Sequence, residues 1–536
     1  MVVIQLEMNT HQERFFTYLI IISPLIFHAI IGLQGFDMAD EGWSLTGYQQ
    51  IFNDPESVEY LFLYYLTYII GGVWNFLFGW GGIYSFRLLT SIVLTLTSLI
   101  IWRLLRPYFN SWSIVVGIWA SFFCSYYGIM VFYHNYLSAI LSICAAATIF
   151  KAVKSSDWRW MIISGIILGC NVFVRLPNIT LITLIFLLIP YYVYNKDIKR
   201  TIFLFLSGSG GFIIGIVLII LIMLLLGHIH IFINAFNSGL SASSSTDSTH
   251  NLGTMVMTYL YVYKSIFSTG YNNNTHTIYL LSSLGWFWVV CSRRYNREYV
   301  YLATIAVIIL HTLPIGSDFG IDNMGENSLY LAVPILTGFV WKEINALSNI
   351  WLHRCTVIIA RIIIVVFCIR GAKQILCQCY FDDGPRWKKT YMIDATLATT
   401  FTTERNCLLL NPLLHELSKY IKKDDYILCF QNSPSLHFLT RTRPYLYNPW
   451  VWTYDSNNLE FQFQRAERER YRLPVIVRDK SIMPQWYKYD PNWNNVSAEE
   501  TYLHKNKKIK LFNDFVTKHH YYLVWENEVF QILLPQ

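Results

Sequence analysis

Phe36-Asp-Met-Ala-Asp-Glu-Gly-Trp-Ser-Leu-Thr-Gly-Tyr-Gln-Gln50 is the stretch on which the reading of this chain turns. It follows the first long apolar run, residues 16–33, and sets Asp37, Asp40 and Glu41 where that run would leave a bilayer. Carboxylates at a membrane interface are costly unless they are solvated or used. A mere linker could have been Ser and Gly. After the acids, Trp43, Leu45, Tyr48 and Ile51 form an amphipathic pattern that predicts a segment lying along the interface. Asp40 and Glu41 are therefore expected to mark an active site on the far side of the membrane.

Working outward, 54% of the chain is hydrophobic, 17% aromatic and only 14% charged, which excludes a soluble fold and predicts a polytopic membrane protein. The net charge of +7 does not indicate nucleic acid, because Lys and Arg fall in short clusters between apolar runs. The sequence has no zinc-finger, P-loop or dinucleotide fingerprint. The first apolar run is too long for a signal-peptide core and lacks a small-residue cleavage site before Asp37, so it reads as an uncleaved anchor. Cys124, Cys144, Cys170 and Cys291 lie inside apolar runs as small hydrophobes. In the polar tail, Cys407 and Cys429 are open to a disulfide or to none.

About eleven spans are expected: 16–34, 84–102, 112–129, 133–150, 160–174, 178–194, 202–227, 276–292, 298–315, 327–341 and 355–371. Alternate crossings put Arg103 with Arg106, Lys151 with Lys154, Lys199 with Arg200, and Arg294 with Arg297 on one side, the cytoplasm. Residues 60–78 are long enough to cross, but crossing would invert every later loop. They are placed outside, on or dipping into the membrane surface. The outer face then collects the acidic loop 35–59, Tyr133-His134-Asn135-Tyr136, Arg175-Leu176-Pro177-Asn178, the polar loop 237–254 and the segment 316–327 with Asp318, Asp322 and Glu326.

Residues 1–372 thus form a transmembrane domain whose first outer loop is 35–83, and residues 373–536 a small extracytoplasmic α/β domain. In that tail, Asn411-Pro412 is expected to cap a helix through Ile421, and residues 426–430 and 474–477 read as strands. Residues 460–471 and 505–519 read as helices, and 521–525 with 529–534 as a closing hairpin. Tyr445, Tyr447, Trp450 and Trp452 suit carbohydrate stacking, and equally a small core.

An acid pair after the first span, a Tyr-rich surface segment leading to Ser85-Phe86-Arg87-Leu88-Leu89, many spans and a closing outer domain together resemble the GT-C superfamily. These membrane glycosyltransferases include the protein O-mannosyltransferases and the aminoarabinose transferases. The resemblance implies an inverting transfer of a sugar from a polyprenyl-phosphate carrier to an acceptor hydroxyl on a glycolipid, polysaccharide or protein. By carry-over of the family's first-loop acid, Asp40 would be the base, with Glu41 orienting it or the acceptor.

Cations are needed for the leaving phosphate, and those expected outside are Arg87, Arg175 and Lys264. His134, Asn135, Asp318 and Asp322 are the expected substrate contacts. Each has a plainer reading: snorkelling anchors for the arginines, a solvated loop for the acids. Glu59-Tyr60-Leu61-Phe62 stands where several family members carry a phosphate-contacting Lys, which throws more of that task on Lys264. No metal or other cofactor is expected, and the partners are membrane lipids, the lipid-linked donor and its acceptor, without nucleic acid. The expected location is the plasma (inner) membrane. A flippase or a polymerase of lipid-linked saccharides is the alternative; a flippase would place its charges near the bilayer midplane, not at outer helix ends.

Overall fold

The computed structural model of the protein describes residues 10–124, 128–245, 251–269, 274–292, 294–317, 320–482, 485–496 and 505–536. Helix α1 (Thr10–Ile31) runs antiparallel to α4 (Gly82–Leu105): Phe16 meets Trp102 with ring centroids 5.5 Å apart, and the Tyr84 hydroxyl donates to Ala29 O at 3.2 Å. The end of α1 and the start of α4 therefore share one side. Everything between them leaves and returns there, namely α2 (Asp40–Gln50), a 3-10 segment (Pro55–Tyr64) and α3 (Tyr65–Phe78). This geometry accords with a surface placement for residues 60–78. One face of α3 buries Tyr65, Tyr68 and Gly71, while Val73, Phe76, Leu77 and the following Trp80 are exposed, an apolar face suited to lipid. Gly82 turns the chain into α4 at φ +59, where a side chain would also strike Leu397 O.

The membrane part continues with α5 (Ser111–Phe122), α6 (His134–Ser155), α7 (Trp158–Val172), a 3-10 stretch (Leu176–Leu187) leading into α8 (Leu188–Asn195), and α9 (Ile198–Leu225). It closes with α10 (Ile229–Ser244), α11 (Leu252–Thr269), α12 (Asn274–Cys291), α13 (Arg297–Thr312), α14 (Ile321–Asn345) and α15 (Ile350–Cys377). Among the described residues, six helical stretches are long and apolar enough to cross a membrane, not the expected eleven. One reason is length. Helices α5, α7 and α13 have 12, 15 and 16 residues. At 1.5 Å per residue that is roughly 18–24 Å against a hydrocarbon core of ~30 Å. Helices α12 and α14 are not among those six stretches.

The amphipathic reading of α2 is corrected. Trp43, Leu45, Tyr48 and Ile51 are all buried in protein. α3 covers one flank: Trp43 lies edge-on to Tyr64 and Tyr68, and Tyr48 packs on Tyr68. The tail covers the other. Gly42 lies so close to the Ser435 backbone that a Cβ would stand 2.2 Å from its nitrogen. Trp43 Nε1 donates to Asn448 at 3.0 Å.

After α15 come β1 (Tyr391–Met392), β2 (Phe401–Thr402), α16 (Glu404–Leu417), β3 (Tyr426–Phe430), α17 (Ser435–Thr440) and β4 (Arg443–Pro444). Then follow α18 (Ser456–Glu469), β5 (Val475–Asp479), β6 (Ser481–Ile482), β7 (Gln485–Tyr489), α19 (Lys505–Lys518), β8 (Tyr522–Glu526) and β9 (Phe530–Leu534). The five-stranded sheet has the order β4-β3-β5-β9-β8. β3 is parallel to β4 and β5, and β9 is antiparallel to β5 and β8. Three expectations change here. α16 begins at Glu404 and contains Pro412, which does not cap it. Cys407 and Cys429 are buried, separate thiols, one on α16 and one in the sheet. Tyr445, Tyr447, Trp450 and Trp452 are core residues, each under one-tenth exposed, so they offer no face to carbohydrate.

Asp382 clamps the tail to the first loop. Its carboxylate takes Phe36 N at 2.7 Å, the Thr402 hydroxyl at 3.1 Å and Lys389 Nζ at 3.0 Å, with both ionic side chains fully buried. Arg386 donates to Ile31 O and Gln34 O at 3.1 and 3.0 Å. Removing one partner of a buried pair leaves an uncompensated charge. Lys389→Met is expected to cost about 3 kcal/mol, measured by thermal unfolding in detergent. A second expectation concerns Asp479, whose carboxyl burial pushes up from the ordinary 3.8 to about 6. The folded state then holds this proton more tightly than the unfolded one, so stability falls as pH rises from about 4 to about 6. Asp479→Asn should flatten that slope in pH-dependent unfolding.

Candidate active site

The acids of the first loop fare differently once folded. Asp37 is buried and turns inward, its two oxygens accepting Ala39 N at 2.8 Å and Glu41 N at 2.9 Å, so that it holds the first turn of α2. Burial, then the charges of Asp40 and Glu41, hold its carboxyl well above the usual carboxylate range. Glu41 is also buried. One of its oxygens pairs with Arg87 at 2.6 Å, and the other accepts Met130 N and Val131 N at 3.0 and 3.2 Å. Asp40 alone is partly exposed.

Asp40 is met by a residue of the tail. The Tyr380 hydroxyl donates to Asp40 Oδ2 at 2.7 Å. Burial first, and then Asp40 and Asp37, push the Tyr380 hydroxyl well up, so it remains a proton donor in this pair. Tyr380 stacks on Phe381, whose carbonyl accepts Trp486 Nε1 at 2.8 Å. The β6–β7 hairpin thereby fixes the ring that orients Asp40.

Arg87 does not stand open to a phosphate, as the sequence led us to expect. Besides Glu41, its guanidinium donates to Gly32 O, Gln34 O and Gly35 O at 2.9, 3.1 and 2.9 Å, and its side chain is 2% exposed. Glu41 likewise is sequestered with Arg87; the pair shapes the loop. His134 and Asn135 are buried as well. The His134 ring stacks on Tyr64 at 4.4 Å, and Asn135 bonds Asn323 at 3.1 Å.

The remaining predicted residues lie on separate elements. Arg175 is buried and donates to Ile315 O at 3.2 Å. Lys264 is exposed on α11. Asp322, with its side chain 47% exposed, pairs with the buried His276 at 2.7 Å. Asp318 lies outside the described residues. Among the described residues, no group of three or more His, Cys, Asp and Glu is placed to hold a metal ion. Tyr380, Arg386 and His276 were not singled out from sequence. The signal for the first two was the run Tyr380-Phe381-Asp382-Asp383 directly after the last apolar helix, a charge-and-aromatic cluster like the one after the first.

Fold and site together define a multi-helix membrane protein with a C-terminal α/β unit. No family model matches the chain, and no curated protein matches it. Among solved structures it is similar to the Archaeoglobus fulgidus oligosaccharyltransferase in its complex with Zn and sulfate, at 14% identity and a TM-score of 0.45, over 85% of this chain and 68% of that one. A likeness of that size assigns neither residues nor activity.

The Glu41–Arg87 pair makes a sharp expectation. Arg87→Met alone should lower stability by roughly 3–5 kcal/mol, because it strands a buried carboxylate. Adding Glu41→Leu should recover part of that loss in the same unfolding assay, which a set of independent contacts would not do.

Proposed function

We propose that the protein is an inverting membrane glycosyltransferase that moves a sugar from a polyprenyl-phosphate carrier to an acceptor hydroxyl. The observation that carries this reading is the sorting of the loop acids: Asp37 and Glu41 are locked inside, while Asp40 is partly exposed and aimed by Tyr380. A carboxylate so held suits a general base. The acceptor oxygen attacks the anomeric carbon from the face opposite the phosphate, its proton passes to Asp40, and the bond from that carbon to the phosphate oxygen breaks. Polyprenyl phosphate leaves as an anion.

Arg175 and Lys264 are the cations assigned to that anion, with Lys264 the exposed one. Cations placed where charge develops lower the barrier more than they tighten the ground state. Asp322, held by His276, is assigned to the acceptor or donor hydroxyls. The catalytic face and the α/β tail are assigned to the outer side of the plasma membrane, consistent with the basic connections on the other side.

The test is sugar transfer by purified protein in nanodiscs from a panel of polyprenyl-phosphate sugars. Asp40→Asn, folded as judged by its unfolding curve, should lose at least ~100-fold in turnover, the usual worth of a positioned base. An unchanged rate would remove Asp40 as the base. Donor movement across vesicles without turnover would favour a flippase.

A further inference from the structure

The first part of the tail ties together the ends of α1, α4 and α15. Arg386 donates from Nε to Ile375 O in α15 at 2.7 Å, and from Nη1 to Ile31 O at the end of α1 at 3.1 Å. Phe401 N of β2 donates to Leu33 O, just past α1, at 2.8 Å, and Ile83 N at the start of α4 donates to Leu397 O at 3.0 Å. Beneath this junction the helices stay apolar and open to their last turn, since Ile30 of α1 and Leu376 of α15 are both exposed. α1 and α15 are among the stretches long and apolar enough to cross a membrane, so their outer sides carry lipid up to the junction.

The tail keeps that apolar character where a domain standing in water would lose it. Trp387, directly after Arg386, is 61% exposed. β1 pairs with β2 through Tyr391 opposite Thr402 and Met392 opposite Phe401. Successive side chains of a strand point to opposite faces, yet Tyr391 and Met392 are 45% and 49% exposed, so both faces of β1 stand open. An antiparallel strand at a water surface ordinarily packs one face and turns a polar one outward. With two residues, β1 is also too short an edge to take up a strand from a partner protein. Lys388 is exposed beside Trp387, and Trp80 is exposed just before α4 begins. Exposed Trp and Tyr with a cation at the ends of spans are the marks of a membrane interface.

We infer that Trp387, Tyr391 and Met392 form a foot that sinks into the headgroup region of the bilayer the helices cross, and so seats the tail on the membrane. Lipid is the partner of this surface because the surface begins where the lipid-facing sides of α1 and α15 end. The seat holds whatever the site transfers, yet it bears on the site. Tyr380, which meets Asp40, lies in the short link between α15 and Trp387, so that link is held by a span at one end and by the foot at the other.

The test uses the full-length protein in nanodiscs whose phosphatidylcholine carries a diazirine high on the acyl chain, with mass spectrometry of the photolabelled peptides. Residues 387–392 should be labelled as strongly as residues 73–80, whose Phe76 and Trp80 are exposed. Tyr471 at the end of α18, and Tyr522 with Leu523 on β8, are exposed residues of the same tail and should stay unlabelled. Tyr391→Glu combined with Met392→Glu should cut the labelling of 387–392 at least ~5-fold and leave that of 73–80 unchanged, because charge disfavours entry into the interface. Labelling of 73–80 without 387–392, or labelling of Tyr471 and β8 as strong as that of 387–392, would overturn the seat. So would amine cross-links from Lys388 to a second copy of the chain in place of lipid contact.

Discussion

The whole arrangement hangs on one buried guanidinium. Arg87 sits just inside α4, and there it gathers the carbonyls of Gly32, Gln34 and Gly35 together with the Glu41 carboxylate. These carbonyls belong to the end of α1 and the loop after it, where that loop bridges to Phe401 of β2. A guanidinium with several fixed donors can close such a bend, and a lysine could not. Because Glu41 also accepts two backbone N–H groups from residues 130 and 131, the same pair joins α1, α2, α4 and the approach to α6. The charges are deep, so their attraction is little screened and their geometry is exacting.

Around that junction the molecule divides its labour by depth. Helices supply apolar surface outward and small polar contacts inward. The tail supplies what helices cannot: Asp382 and Arg386 grip the loop from outside, and Tyr380 reaches Asp40. The ring of Tyr380 is itself held by Phe381 and, through it, by Trp486. A partly exposed carboxylate supported by a chain of packed aromatics keeps its direction.

Sequence reading saw the broad plan because composition and apolar run length are global signals. The membrane character and the tail's β3, β5, α18, α19 and closing hairpin were legible in that way. What it could not see was pairing across long separations. Arg87 and Glu41 looked like two site residues with separate tasks, and only the fold reveals that each absorbs the other. Trp43, Leu45, Tyr48 and Ile51 looked amphipathic because the tail that covers them lies about 400 residues away along the chain; Trp43 meets Asn448. The tail's aromatics matched a sugar surface by type, but burial alone decides such residues, and a periodicity does not report it. Short apolar helices such as α5 and α7, of 12 and 15 residues, leave the expected count of eleven spans unconfirmed, because apolar composition does not report where a helix stops.

The bond from Tyr380 to Asp40 joins residues 340 positions apart. A ribosome therefore makes Asp40 early and the hydroxyl that orients it late. Throughout the synthesis of the intervening helices, Asp40 has no ring to aim it, and α2 lacks the cover of α17. The first loop is thus unfinished for most of the chain's birth, and it closes only when the last third of the chain folds onto it. Order of manufacture becomes a safeguard, since a truncated or half-inserted chain cannot assemble a competent first loop.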